Sequence, residues 1–439
     1  MTKDRYRLAL KNGIGAPSVP VVAPNDPVQR GQMIARYVPE ALSVSLHSPV
    51  TGVVEEVTAE AVVIRGEKRS EDFLALDRTL PVGELVRSAG IIGQGGAGFP
   101  AYVKLQTDLK DGGYVLCNAA ECEPGLCHNL AQIKSNPQGL LRGMRIAMEA
   151  TGAPKGIIGI KWKHRDTIRL LTGTLKRLGI GDIRVLPLRN VYPVGEERAL
   201  IRDTLNILLG PGELPMAAHC VVFNAETLDS IRRAVDEGKP LIDKWLTVTG
   251  AVNGFEKGDS RVLEVPIGTP VEKVLADLGG VKEPLGEVLL GGPYTGHRAE
   301  AGEGVTKILG GIIPTEPFEK VGEPLGIIQC ACGPTYPRML QIAQSMGAPV
   351  VAHEICKNAH EVKGAYKCEN PGHCPGQAEK VLALKKAGAT HVLIGHCTDC
   401  TNTVMGSAPK LQMTVHHCTD HIMKTLGKPL IRTYDEDQL

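Results

Sequence analysis

Between residues 93 and 98 the chain reads Gly-Gln-Gly-Gly-Ala-Gly, four glycines in six positions, followed by Phe99-Pro100 and then Lys104. A stretch this poor in side chains leaves its backbone nearly bare, and it can take φ > 0 where other residues cannot. It is a loop, and a loop of this kind can bring successive N–H groups close to a phosphate. The flanks suit that use: Ile91-Ile92 is apolar before it, and Lys104 adds a cation just beyond. A lone glycine-rich pattern is more often a plain turn, so the weight falls on what accompanies it.

The rest of the composition narrows the field. At 439 residues there is room for two or three domains with sizeable cores. Lys+Arg 49 against Asp+Glu 48 leaves a net charge of +1, which argues against bulk binding of nucleic acid or anionic membranes. No apolar run approaches the roughly 20 residues that span a bilayer. The start, Met1-Thr2-Lys3-Asp4-Arg5-Tyr6, has no apolar segment behind its charges, so the expected location is cytoplasmic. Of the twelve cysteines, four precede residue 325 and eight crowd the last quarter. Without a secretory signal this pattern points to metal binding or thiol redox chemistry rather than a disulfide scaffold.

Read in order, residues 20–66 alternate short apolar runs with turn residues, as short strands do. Residues 82–209 alternate helical and strand patterns. Tyr114-Val115-Leu116 runs into Asn118, a helical pattern follows Pro137, Gly156–Ile160 is β-rich, and Ile183–Leu188 returns to strand. That alternation predicts βαβ units and a mostly parallel sheet, whose ligands bind at the carboxyl ends of the strands. Residues 244–310 read as strand, strand, helix, strand. The last quarter repeats one local pattern: a short β-rich run, then cysteine. Cys330 and Cys332 follow Gly326–Gln329, Cys356 follows Pro349–Ala352, Cys397 and Cys400 follow His391–Gly395, and Cys418 follows Met413–His416. Pro429–Arg432 reads as a fifth strand. If these strands are parallel, their cysteines share one rim.

Three chemistries compete for that rim. A C-x-x-C at a helix start lowers the pKa of its first thiol through orphan N–H groups and the helix dipole, which favours a Cys397/Cys400 dithiol beside Cys330, Cys332 and Cys418. His396 next door would act in the same sense, and His416, His417 and His421 offer proton donors or ligands. Eight cysteines exceed what one dithiol needs, so a zinc or iron–sulfur site drawing on Cys356, Cys368 and Cys374 competes with it. Chance burial accounts for single cysteines and not for the set.

Four ordered motifs carry a resemblance. G-x-G-G-A-G-F-P-x-x-x-K over 93–104, Asn118-Ala-Ala-Glu121-Cys-Glu123-Pro, Tyr192-Pro-Val-Gly195-Glu196-Glu197 and Asn224-Ala-Glu-Thr-Leu are similar to the flavin-site segments of the NADH-binding subunit of respiratory complex I. They also resemble the RnfC component of the Rnf electron-transport complex. The resemblance covers about residues 20–325. It implies FMN and NADH as cofactors, held by Gly93, Gly95, Gly96, Gly98, Phe99, Lys104, Asn118, Glu121, Glu123, Tyr192, Gly195, Glu196, Glu197 and Asn224. Ala120 and Gln94 depart from complex I, where aspartate and arginine stand, so flavin is the safer expectation than nicotinamide.

The implied fold is a multidomain α/β chain. It comprises a barrel-sandwich hybrid over 1–75, a Rossmann-like flavin/NADH domain over 76–240, a β-grasp (SLBB-like) module over 241–325 and a cysteine-rich parallel α/β domain over 326–439. No lysine stands at the Val50-Thr51-Gly52 turn where a carrier domain displays its modified residue. The ferredoxin-type cysteine runs of both relatives are absent. A flavin module with a cysteine-rich tail in their place looks like the electron-transfer protein associated with D-proline reductase. That resemblance implies an NADH-dependent oxidoreductase that delivers electrons to a selenoenzyme partner, with a homo-oligomer possible. The competing class is an assembly subunit that keeps the fold and a structural metal but no flavin.

Overall fold

The computed structural model describes residues 4–67 and 69–432. Near the N-terminus, strands Asp4–Ala9, Ala61–Gly66, Gly52–Val57 and Pro27–Val28 form one antiparallel sheet. Val19–Pro20, Met33–Arg36 and Leu46–His47 form a second. The alternating Tyr6 and Leu8, with Val62 and Ile64, are buried and share one core cluster with Ile91 and Ile92 before the glycine loop.

A four-stranded parallel sheet stands at the centre, in the order Ile183–Leu188, Lys155–Lys161, Tyr114–Asn118, Cys220–Asn224. The Pro137–Thr151 helix packs on it through Leu140, Leu141, Met144 and Ala147. Its start is set by Asn136, whose side chain accepts from Gly139 N, with Pro137 in the first turn; it stops at Gly152, φ 70°. Asn118 and Asn224 are paired in register at the carboxyl ends of neighbouring strands. That end of the sheet carries the motifs.

Next comes a mixed five-stranded sheet ordered Ser260–Pro266, Asp243–Thr249, Gly311–Pro314, Val288–Leu290, His297–Arg298. Asp243–Thr249 and Gly311–Pro314 run parallel to each other, and the remaining pairs are antiparallel. Buried Arg30 ties the N-terminal sheets to this one, with Asp243 at 2.6 Å. Arg30 and Asp243 are 2% and 1% exposed, and removing Asp243 would strand the buried Arg30 charge, at about 3–5 kcal/mol; Asp243 itself also pairs with Lys239 at 2.7 Å.

The last quarter holds a fully parallel sheet, Val350–Ile355, Leu325–Gln329, His391–Ile394, Thr414–His417 in that order. An antiparallel hairpin, Ala359–Val362 with Ala365–Cys368, projects after the first of these strands. Residues 429–432 form no strand, contrary to the sequence expectation. Pro429 has no N–H to donate, and Arg432 instead forks onto Asp420 at 2.7 and 2.8 Å. The segment lines a cleft instead of extending the sheet.

Candidate flavin cleft and the cysteine rim

The glycine loop is pinched at its base, where Ile92 bridges Pro100 and Gly93 N donates to Phe99 O at 2.8 Å. Gly98 does not face a ligand. It packs back to back on Gly13, where a Cβ would come within 2.8 Å of the Gly13 Cα. Gly95, Gly96 and Ala97 form the exposed tip. Gly96 sits at φ 139°, a conformation that disfavours other residues, with nothing within 4 Å of an added Cβ. A Cβ at Gly95 would press on Asn224 at 3.1 Å.

Gly95 and Gly96 open on a cleft of about 360 Å³. It gathers residues far apart in sequence: Asn118, Glu121 and Glu123, Tyr192, Gly195 and Glu196, Asn224, and Cys332 from the last quarter. Gly93, Gly98, Phe99, Lys104 and Glu197 stand outside this lining. Lys104 turns inward, donating to Val222 O at 2.7 Å and pairing with Glu197 at 3.3 Å. Phe99 lies beside it, its ring centre 5.9 Å from the ammonium. As placed, Lys104 serves the wall and not the loop's concave face.

The carboxylates are already engaged by backbone. Glu121 accepts from Asn129 N and Leu130 N, in the first turn of the His128–Ser135 helix. Glu123 accepts from Tyr294 N, Thr295 N and Thr295 Oγ1 at 2.8, 3.0 and 2.6 Å. Glu196 caps the Glu197–Leu205 helix through Arg198 N and Ala199 N. Burial pushes all three carboxyls up, Glu121 to about 7. His128, whose Nδ1 is 3.4 Å from Glu121, is held well below its usual range by burial, so the pair carries little positive charge. The sequence offered no sign of these roles, because which N–H reaches a carboxylate depends on packing between distant segments.

The cleft's polar surface suits a flavin phosphate and ring edge. Gln94 is 3% exposed; its N–H donates to Thr227 and its Oε1 accepts from Ser230, while its Nε2 has no partner. Asn129 Oδ1 is likewise buried and unpartnered. A donor and an acceptor left over beside a bare glycine backbone fit a ligand carrying both functions. Asn118 is more committed: its amide donates to Gly195 O at 2.7 Å and its Oδ1 accepts from Ala120 N at 3.2 Å. It shapes the wall, while Asn224 caps its helix through Glu226 N and turns its amide toward Gly95.

One side chain joins the cleft to the cysteine rim. Tyr192 stacks on Tyr294 at 3.6 Å, its hydroxyl donates to Cys332 O at 2.6 Å, and its backbone makes two 3.0 Å bonds with Thr398. Arg198 and Arg202, from the helix that Glu196 caps, hold the segment from Cys368 to Pro371 through its backbone carbonyls.

On the rim, Cys330, Cys356 and Cys418 follow their strands directly and Cys397 stands three residues past its own. One sequence expectation is overturned there. The thiol at the helix start is not activated: Cys397 receives the Cys400 N–H, yet burial at 4% exposure pushes it up to about 12. Cys400 is buried as well, at 1% accessible. His396 does sit 3.1 Å from the Cys400 sulfur, but its own burial lowers it to about 4, so it brings no charge. Cys374 behaves differently. It is half-buried, and hydrogen bonds from the Cys400 thiol, Thr403, Gln377 and Gly376 N draw it down to about 6.

His421 pairs with Glu287 and His417 with Thr419. No group of three or more His, Cys, Asp or Glu among the described residues is arranged to hold a metal ion.

Comparison with known proteins agrees with this architecture. Residues 1–72 match the model of the RnfC barrel sandwich hybrid domain and residues 86–233 that of the Nuo51 FMN-binding domain. The RnfC-type component of the Na(+)-translocating ferredoxin:NAD(+) oxidoreductase complex of Acetobacterium woodii is 32% identical over 341 residues, 72% of this chain and 74% of that one. The chain belongs to the RnfC family. Cobalamin reductase PduS of Salmonella typhimurium is 38% identical over 231 residues, and that of Citrobacter freundii 40% over 213. This RnfC-family chain spans about half the length of those two reductases, 49% and 45%. An NAD+-reducing [NiFe]-hydrogenase structure is 22% identical with a TM-score of 0.47, over 54% of this chain and 48% of that one. Among the described residues no helix is long and apolar enough to cross a membrane.

Proposed function

We propose that this chain is an NADH-dependent electron-transfer oxidoreductase that binds FMN in the glycine-loop cleft and hands electrons to a protein acceptor through the cysteine rim. The observation that carries it is the sharing of one cleft by Gly95, Gly96 and Asn224 with Cys332. Bound FMN would supply the step from a hydride donor to a thiol acceptor. Gly95 and Gly96 would offer backbone N–H groups, Gln94 Nε2 a donor and Asn129 Oδ1 an acceptor. Glu121, poised to about 7, would hold a proton at the cleft wall near neutral pH. Glu197 and Phe99, beside Lys104 and outside the cleft lining, would be the residues that meet the dinucleotide.

The domain division follows the same reading: a barrel-sandwich module to residue 75, the flavin domain to 240, an SLBB-like β-grasp module to 325 and the redox domain beyond. The mixed sheet with one inner parallel pair supports the β-grasp assignment. The acceptor is a selenoenzyme reductase of the D-proline reductase type, and the rim chemistry is thiol–disulfide exchange rather than zinc or iron–sulfur. The test is anaerobic purification with a visible spectrum, metal analysis and NADH addition. Flavin absorbance that NADH bleaches supports the proposal, and a colourless protein refutes it.

A further inference from the structure

Of the eight cysteines after residue 325, six are buried and two, Cys332 and Cys374, are partly exposed. Cys332 opens on the glycine-loop cleft and Cys374 does not. An unbroken chain of side-chain contacts runs between them: Cys332 to Cys330, Cys330 to Cys356, Cys356 to Cys400, and Cys400 to Cys374. Cys368 branches off at Cys332.

The fold accounts for this order. Cys330 and Cys356 leave adjacent parallel strands at matching positions, where Cys356 N donates to Gln329 O at 2.8 Å. Fully buried Gln377 points its amide at two sulfurs, 3.2 Å from Cys356 and 3.5 Å from Cys374. Cys374 is fixed further by Asp399, which accepts its N–H at 2.6 Å, and by Thr403 and Gly376 N, 3.4 and 3.3 Å from its sulfur. Cys418 stands apart, packed against Gly395 and His417. The Cys397 sulfur takes a hydrogen bond from the Cys400 backbone N–H.

We propose that Cys332, Cys330, Cys356, Cys400 and Cys374 form a disulfide-exchange relay that carries an electron pair from the cleft to Cys374, the thiol that meets an acceptor disulfide. The proposal rests on the cleft's role as an electron source. At the outer end, the Cys374 thiolate attacks one sulfur of the acceptor disulfide, and the other sulfur leaves as a thiolate and takes a proton. Cys400 then attacks Cys374 in the mixed disulfide. The second acceptor thiol departs and a Cys374–Cys400 disulfide closes. The acceptor has gained two electrons and two protons, and the pair has lost them.

The disulfide next moves inward by exchange, with no net electron change. Cys356 attacks Cys400 and frees Cys374; Cys330 attacks Cys356 and frees Cys400; Cys332 attacks Cys330 and frees Cys356. The resulting Cys330–Cys332 disulfide faces the cleft. There a hydride-donating reductant returns two electrons and one proton, and water supplies the second proton.

The test uses the full chain under anaerobic conditions, with dithiobis-nitrobenzoate as the acceptor disulfide and acid-quenched mass-spectrometric mapping. In wild-type protein given less than one equivalent, disulfides are expected only between contact neighbours of the chain. In Cys400→Ser the mixed disulfide is expected to persist on Cys374, and Cys400→Ala repeats the trap in case serine perturbs the fold. Cys374→Ser is expected to lose acceptor reduction while NADH still bleaches the flavin. A trapped adduct on Cys397, Cys368 or Cys332, unchanged acceptor reduction in Cys374→Ser, or stoichiometric iron or zinc held by these thiols would overturn the relay. If NADH never bleaches the wild-type protein, the cleft reading fails by itself. The mapping on chemically reduced protein still decides the relay.

Discussion

Replacing Glu121 with Gln should reverse its effect on stability between acid and mildly alkaline pH. The carboxyl is almost fully buried, and burial moves it from the ordinary 4.5 to about 7. The folded protein therefore binds a proton there that the unfolded chain releases above 4.5. By linkage, Glu121's contribution is fully present below pH 4.5, falls as pH rises, and is lost above about 7. At about 1.4 kcal/mol per pH unit, that gap is worth about 3 kcal/mol. Glutamine is neutral throughout and shows no such fall. It keeps one carbonyl oxygen for the Asn129 and Leu130 amides, losing about 1 kcal/mol of hydrogen bonding. Glu121→Gln should thus be less stable than wild type by about 1 kcal/mol near pH 4.5 and more stable by about 2 kcal/mol near pH 8. Urea denaturation of both proteins from about pH 4.5 to 8 gives the difference curve, in which other titrating groups cancel. A flat difference, or a wild type that gains on the variant as pH rises, would show that Glu121 is ionised in the folded protein.

Three further outcomes follow from the same geometry. Gly96→Glu places an anion and a disfavoured φ of 139° at the loop tip in open space; flavin content, measured by absorbance, should collapse while the circular dichroism spectrum stays native. Glu123→Ala removes three hydrogen bonds linking residue 123 to Tyr294 and Thr295; it should cost about 3 kcal/mol, read as a lower thermal midpoint. Cys397→Ser, changing a sulfur outside the contact chain, should leave acceptor reduction near wild type in a stopped assay, whereas Cys400→Ser should abolish it.

Part of this was legible from residues alone. Tyr114–Cys117 and Gly156–Ile160 are continuous apolar runs, which is how a strand buried on both faces reads, and their loops are where a parallel sheet binds ligands. The cysteines after Gln329, Ile355, Ile394 and His417 could be placed on one rim because each follows a short β-rich run. Exposure and partnership were not legible. A C-x-x-C at a helix start suggests an activated first thiol, but burial outweighs the helix N–H at Cys397. Cys374, in an irregular loop, has no local signature for the donor that Thr403 brings from a distant helix. Lys104 reads as a phosphate ligand from its spacing, yet Val222 O and Glu197 claim it across the fold. Arg432 looks like the end of a strand until Asp420, on the preceding helix, takes it.

The most direct measurement is the visible spectrum of the anaerobically purified protein before and after one equivalent of NADH. Bound flavin absorbance that bleaches with NADH, and returns when a disulfide acceptor is added, is the predicted result. A spectrum without flavin, or a flavin that NADH leaves oxidised, would contradict the account.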